Sequence, residues 1–236
     1  MILDSFKTHS ATIQIFYADA FLIWDRAGEI NRHISKIWPG VKITESVPQQ
    51  VTLADEGVTI QTSINKSTII ISGEHALGQL KVRQICDTFE VWCKELEIDE
   101  LSRVSTRVTY SKDFESLKNA NAELLALNLV RWPDTMVFDQ PLESDRNGLE
   151  VQYRFEDDSS FSVLRLKAEQ LRYEVDLDPN LFNDPKIRKV INRMIIDFDR
   201  GLLGAVVAGK FRMDEWLKGY QHILRRDIEK VIKAQT

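Results

Sequence analysis

Residues 80–110 constrain this chain more than any other stretch, because a strongly amphipathic helix pattern runs almost directly into a strongly alternating strand pattern. Val82, Ile85, Cys86, Phe89, Trp92, Cys93 and Leu96 recur at the i, i+3, i+4, i+7 spacing of one buried helix face. Val104, Thr106, Val108 and Tyr110 then alternate with Arg103, Ser105, Arg107 and Thr109, the period of a strand with one covered face. The join around Asp99-Glu100 is short, so the two patterns must be packed closely and Trp92 is expected in the core.

The rest of the chain continues in the same two alphabets. Ala11–Tyr17 reads as a strand and Arg26–Trp38 as a helix, ended by Pro39-Gly40. Residues 41–53 read as extended, with Pro48 at an edge or bulge, and 58–64 with 68–72 as a hairpin. Beyond the Arg103–Tyr110 strand, Phe114–Leu129 reads as a helix ended by Trp132-Pro133. Asn147-Gly148 signals a turn, followed by alternation over 149–155, strand patterns over 161–166 and 171–177, a last strand at Met194–Phe198, and a long amphipathic helix at Arg212–Lys233.

An internal comparison organises these elements. Tyr17 and Phe21 match Tyr110 and Phe114 at an offset of 110 − 17 = 93, and Trp38-Pro39 matches Trp132-Pro133 at 132 − 38 = 94. Val82, Ile85, Cys86, Phe89, Trp92 and Cys93 match the spacing of Met213, Trp216, Leu217, Tyr220, Ile223 and Leu224 at an offset of 131. The expectation is an α+β fold: a tandem duplication of a β-α-β-β-(β-β)-α unit, residues 1–99 and a longer 100–236, with antiparallel sheet packed under helices on one face. The units would sit together, joined edge to edge in one sheet.

The order of elements in the longer half is similar to the TATA-binding-protein-like fold, itself a tandem duplication, and that likeness implies topology alone. A second resemblance rests on Ser102–Tyr110, on Ile196-Asp197-Phe198-Asp199 and on the terminal amphipathic helix. This layout resembles a sporadically distributed prokaryotic family of uncharacterised proteins of similar length. That family's strand reads closer to Arg-x-Gly-x-Arg-Tyr; here Ser105 and Val108 stand in place of the Gly and Tyr. The resemblance brings no activity and no site residue.

Bulk composition excludes more than it selects. With 236 residues, 43% hydrophobic and 28% charged, the chain is long and apolar enough to bury a core. A net charge of −5 argues against a uniformly basic nucleic-acid surface. No apolar run is long enough to span a membrane, and Met1–Lys7 lacks a signal-peptide pattern, so a cytoplasmic protein is expected. Cys86 and Cys93, the only cysteines, lie two helical turns apart, too far for a disulfide, and read as small core residues of a reduced protein.

Motifs for chemistry are sparse. Gly204–Lys210 fits most of a phosphate-binding loop, but Phe211 stands where a Ser or Thr should hold Mg²⁺, so no nucleotide site is expected. Asp176 and Asp178, with Asp197 and Asp199, form two Asp-x-Asp pairs; neighbouring strands would let these carboxylates converge on a divalent cation. His9, His33, His75 and His222 have no metal-ligand spacing. Arg165, Lys167, Arg172, Lys186, Arg188, Lys189 and Arg193 could make a local phosphate-contacting patch. Gly201–Gly209 reads as an apolar loop, either buried or presenting Leu202, Leu203, Val206 and Val207 to a partner.

The reading is a non-enzymatic interaction or adaptor subunit of a protein complex, such as an accessory component of a prokaryotic conflict or defence system. A protein partner or a homo-oligomer is expected, with no cofactor and no membrane. A nucleic-acid-binding module using the sheet face comes second, and a metal-dependent enzyme built on the paired aspartates third.

Overall fold

The structure, a computed structural model, describes residues 2–129, 148–176 and 186–233. Nine strands form one antiparallel sheet: β1 (Lys7–Tyr17), β2 (Lys42–Val47), β3 (Gln50–Asp55), β4 (Val58–Ser63), β5 (Lys66–Ser72), β6 (Glu100–Phe114), β7 (Glu150–Glu156), β8 (Ser160–Asp176) and β9 (Lys186–Val207). Their order across the sheet is β2-β3-β4-β5-β1-β6-β9-β8-β7. The strand that opens the chain and the strand after the join therefore lie side by side in the middle.

The register at that centre is symmetric. Ala11 opposes Val108, and Ile15 opposes Val104; adding 93 to 11 gives 104, and subtracting 93 from 108 gives 15. Ile13 opposes Thr106, a pair that maps onto itself under the same shift. The flanking pairs repeat as well: Gln14–Thr68 becomes Arg107–Asp199 under offsets of 107 − 14 = 93 and 199 − 68 = 131. The offsets found in the aromatic pairs and in the closing helices thus recur in the hydrogen-bonded ladder.

Among the described residues four helices supply the second layer: α1 (Ile23–Ile37), α2 (Gln79–Glu95), α3 (Leu117–Leu125) and α4 (Met213–Lys233). All pack on the sheet face lined by Ala11, Ile13 and Ile15 of β1, Ile60 of β4 and Val104 and Val108 of β6, every one of them buried. Indole and phenol groups pin the layers together. Trp92 Nε1 donates to Thr62 Oγ1 at 2.8 Å, Trp216 Nε1 to Thr106 Oγ1 at 2.9 Å, and the Tyr220 hydroxyl to the Phe198 carbonyl at 2.6 Å. Each bond satisfies a polar group that burial would otherwise penalise. Burial also pushes the Tyr17 and Tyr220 phenols well above their ordinary pKa.

The join is a tight helix stop. Ile98 N donates to Cys93 O and Glu97 N to Lys94 O, the paired bonds of a Schellman motif, with Glu97 at φ +51° in the position glycine usually takes. Arg26 holds it from α1, donating to the Glu95 carbonyl at 3.0 Å and to Glu97 Oε1 at 2.8 Å.

Several boundaries differ from expectation. Phe114 ends β6 instead of starting a helix; α3 begins after Ser116, whose side chain accepts from Asn119 N and caps it. The two strand patterns at 161–166 and 171–177 are one strand, β8, and the last strand is far longer than Met194–Phe198. Gly201–Val207 is the end of β9, paired to β6 from Glu100 to Ser105, and only Ala208–Lys210 turns away. Cys86 and Cys93 are half-buried and free, not fully in the core, and burial pushes the Cys93 thiol up to about 12. Trp132-Pro133 and the Asn147 turn position lie outside the described residues.

Candidate functional site

No described helix covers the other sheet face, and its strand parity decides what it presents. On β1, β4 and β5 it carries Thr12, Gln14, Gln61 and Thr68; on β6, β8 and β9 it carries charge. At the centre of the charged half, Asp197 is only 4% exposed, beside Arg107 and Arg165. Arg107 grips it with two bonds, Nε to Oδ1 at 2.8 Å and Nη2 to Oδ2 at 2.6 Å, and Arg165 Nη1 adds a third at 3.1 Å. Planar guanidinium groups suit this forked pairing.

Next to it, Glu169 accepts from Lys167 at 2.5 Å and from Arg193 at 2.7 Å. Burial works to raise the Glu169 pKa, but the two cations outweigh it and hold the carboxyl below its ordinary range. These six side chains line a recess of about 430 Å³. Four cations there share two carboxylates, Asp197 and Glu169, each held by two of them.

On the other side of Asp197 lies an aromatic stack. The Arg103 guanidinium sits 5.3 Å from the Phe16 ring and 4.7 Å from the Phe161 ring, while Arg154 approaches Phe161 at 6.0 Å. Phe161 can lie flat there because its cross-strand neighbour is Gly201: a Cβ at that position would come within 2.2 Å of the ring and 3.0 Å of the Val104 carbonyl. Glycine paired with an aromatic across a sheet is a recognised way of covering exposed backbone.

Asp199 faces the same side with no ion-pair partner among the described residues. Burial raises its pKa; Arg103, Arg107 and Arg165 pull it down, and Asp197 pushes it further up. A carboxyl that holds its proton more tightly when folded makes the native state less stable above that raised pKa, and the penalty fades as pH falls through it. Asp199→Asn is therefore expected to be at least as stable as the parent at neutral pH. The two should converge at pH values roughly at or below the ordinary aspartate range, near 4. Urea midpoints across that range check the sign, and a destabilised variant at neutral pH would refute it.

The sequence candidates are distributed otherwise than expected. Asp197 lies opposite Arg165, whereas Asp176 is eleven residues further along β8, opposite Lys186. At about 3.3 Å per residue that is roughly 36 Å, far beyond any shared metal coordination distance. Asp178 lies outside the described residues. Asp176 therefore does not meet Asp197 and Asp199, and no cluster of three or more metal-ligating side chains occurs among the described residues.

The basic residues also separate. Arg165, Lys167, Lys189 and Arg193 share the parity of the open face, while Lys186, Arg188 and Arg172 take the opposite parity. Arg188 pairs with Glu174 at 3.2 Å, and Arg172 donates to Gln170. They form no single phosphate-contacting stripe. Leu202 and Leu203 likewise point to opposite faces and are half-buried, as is Val206, leaving only Val207 exposed, at the mouth of a groove beside Cys86 and Cys93.

A group of exposed apolar side chains lies elsewhere, at the β2 edge. All six β2 residues are exposed, Ile43 at 56% and Val47 at 44%. Across from them Phe21 and Trp24, each more than half exposed, pack in a tilted arrangement with ring centroids 5.2 Å apart. Trp24, Ala27, Val47, Pro48 and Val51 line a shallow recess of about 400 Å³ between helix and strand. Because β2 has a neighbour only in β3 among the described strands, one row of its backbone groups is open. In the sequence Phe21 serves only as a repeat marker, and Trp24, in the first turn of α1, carries no pattern that announces its exposure. No protein-family model matches the chain, and no curated protein does either.

Proposed function

We propose that this chain is a non-enzymatic interaction subunit whose docking surface is the β2 edge together with Phe21 and Trp24. The observation that carries the reading is the coincidence of an open strand edge with a solvent-facing aromatic pair in contact. Large exposed apolar groups on a soluble surface usually mark a partner site, and tryptophan is enriched among residues that dominate binding energy. An added strand would satisfy the β2 backbone while its alternate side chains enter the Trp24 recess.

The double pairing of Asp197 and of Glu169 on the open face supports a structural role for those two carboxylates. The repeated 93 and 131 offsets support descent of the two halves from one duplicated unit. The test is the assembly state at micromolar concentration by native mass spectrometry and sedimentation, for the parent chain and for Trp24→Glu. A complex with a second copy or a co-purifying protein is expected, weakened at least about tenfold by the substitution. A strictly monomeric parent with nothing bound would end the proposal.

A further inference from the structure

Strand β9 turns Met194, Ile196 and Phe198 toward the helices, and all three are buried. The next position on that face is Arg200, between Thr106 of β6 and Ser162 of β8. Alternation calls for an apolar residue here, and a half-buried cation in its place is costly unless its charge is balanced. Arg200 Nη1 donates to Ser162 Oγ at 3.1 Å, and its guanidinium lies 5.8 Å from the Trp216 ring. Both partners are neutral. Arg107, Arg165, Arg188 and Arg193 on the same three strands each hold a carboxylate; Arg200 holds none among the described residues.

Arg200 lines a groove of about 440 Å³ between α4 and strands β7, β8 and β9. The walls are apolar: Phe155, Leu164, Phe198, Leu224 and Ile228. Phe155 is 53% exposed, so the groove opens to solvent along the β7 edge. Arg226 and Lys230 stand on its rim and share the one carboxylate there, Asp227. Three cations against one carboxylate leave an excess of two positive charges around an apolar trough.

We propose that this groove binds an aliphatic monocarboxylate, with the acyl chain along Phe155, Leu224 and Ile228 and the carboxylate on Arg200. The chemistry is complementary at both ends. The guanidinium fork gains the anionic partner that the fold withholds from it, and the trough covers an alkyl chain with side chains already in place. The volume lies toward the lower part of the roughly 300–1,000 Å³ range of small-molecule pockets, which favours a short or medium chain. The site is separate from the β2 edge, and its test does not depend on assembly.

Calorimetric titration of the full chain with octanoate, octanol and octylammonium tests it. Octanoate should bind saturably, with octanol at least about tenfold weaker, the factor expected from losing a charge-assisted hydrogen bond, and octylammonium weaker still. Arg200→Met should abolish the preference for octanoate over octanol, and Phe155→Ala should weaken both ligands. Val231→Trp, at a half-buried groove position, should block octanoate even if Arg200→Met does not fold. Absent or non-saturable octanoate binding, equal affinity for octanol, a preference that survives Arg200→Met, or octanoate binding unchanged by Val231→Trp would each overturn the proposal.

Discussion

Trp92→Ala is expected to lower the stability of this protein by about 3–5 kcal/mol, the range found when a large aromatic side chain is removed from a packed core. Trp92 is 1% exposed, on the α2 face that lies over the sheet. Its loss leaves a cavity beneath the helix and strands the hydroxyl of Thr62, itself 1% exposed, without its donor at 2.8 Å. An unsatisfied buried group adds roughly 1–3 kcal/mol, so the upper part of the range is the better expectation. The urea midpoint should fall with little change in the slope of the transition. A shift under about 1 kcal/mol would mean that α2 does not seat on the sheet here.

Asp197→Ala comes second. Three hydrogen bonds vanish, and Arg107 and Arg165 are left facing each other over a site that is 4% exposed. Removing one member of a buried ion pair typically costs roughly 3–5 kcal/mol; with the Arg107 side chain 52% exposed, water relieves part of that, and about 2–3 kcal/mol is expected. The double substitution with Arg107→Ala should recover part of the loss, because the repulsion disappears with one of the cations. If Asp197→Ala were neutral, or if the second substitution simply added to the first, the network would be ornamental.

What could be read from the chain follows from which interactions are local. The α1 and α2 stripes, the β4–β5 hairpin and the alternation of β1 and β6 declare themselves, since each has one covered and one open face. The long strands β8 and β9 do not. The first reads as two segments and the second only at Met194–Phe198, because both extend beyond their other neighbours, with Asp176–Lys186 to Leu171–Ile191 pairing only to each other. Gly201 looked like a loop residue because the reason for it, a phenylalanine ring forty positions away, is visible only in three dimensions. Arg107 and Asp197, ninety residues apart, share no sequence spacing that could have announced them. Phe114 could have been placed correctly: Ser116 offered a capping residue just after it.

The central position of β1 and β6 also has a consequence for how the molecule assembles itself. Without β6, the eleven residues of β1 would form a long bare edge, with one whole row of its amide and carbonyl groups unmatched. The two halves are thus each other's binding partner, and the Glu97–Asp99 turn is the tether that makes their meeting intramolecular. At so short a span the effective concentration of one half for the other reaches roughly the millimolar range or above. The edge of β1 is thus closed by its own chain before any other strand can reach it.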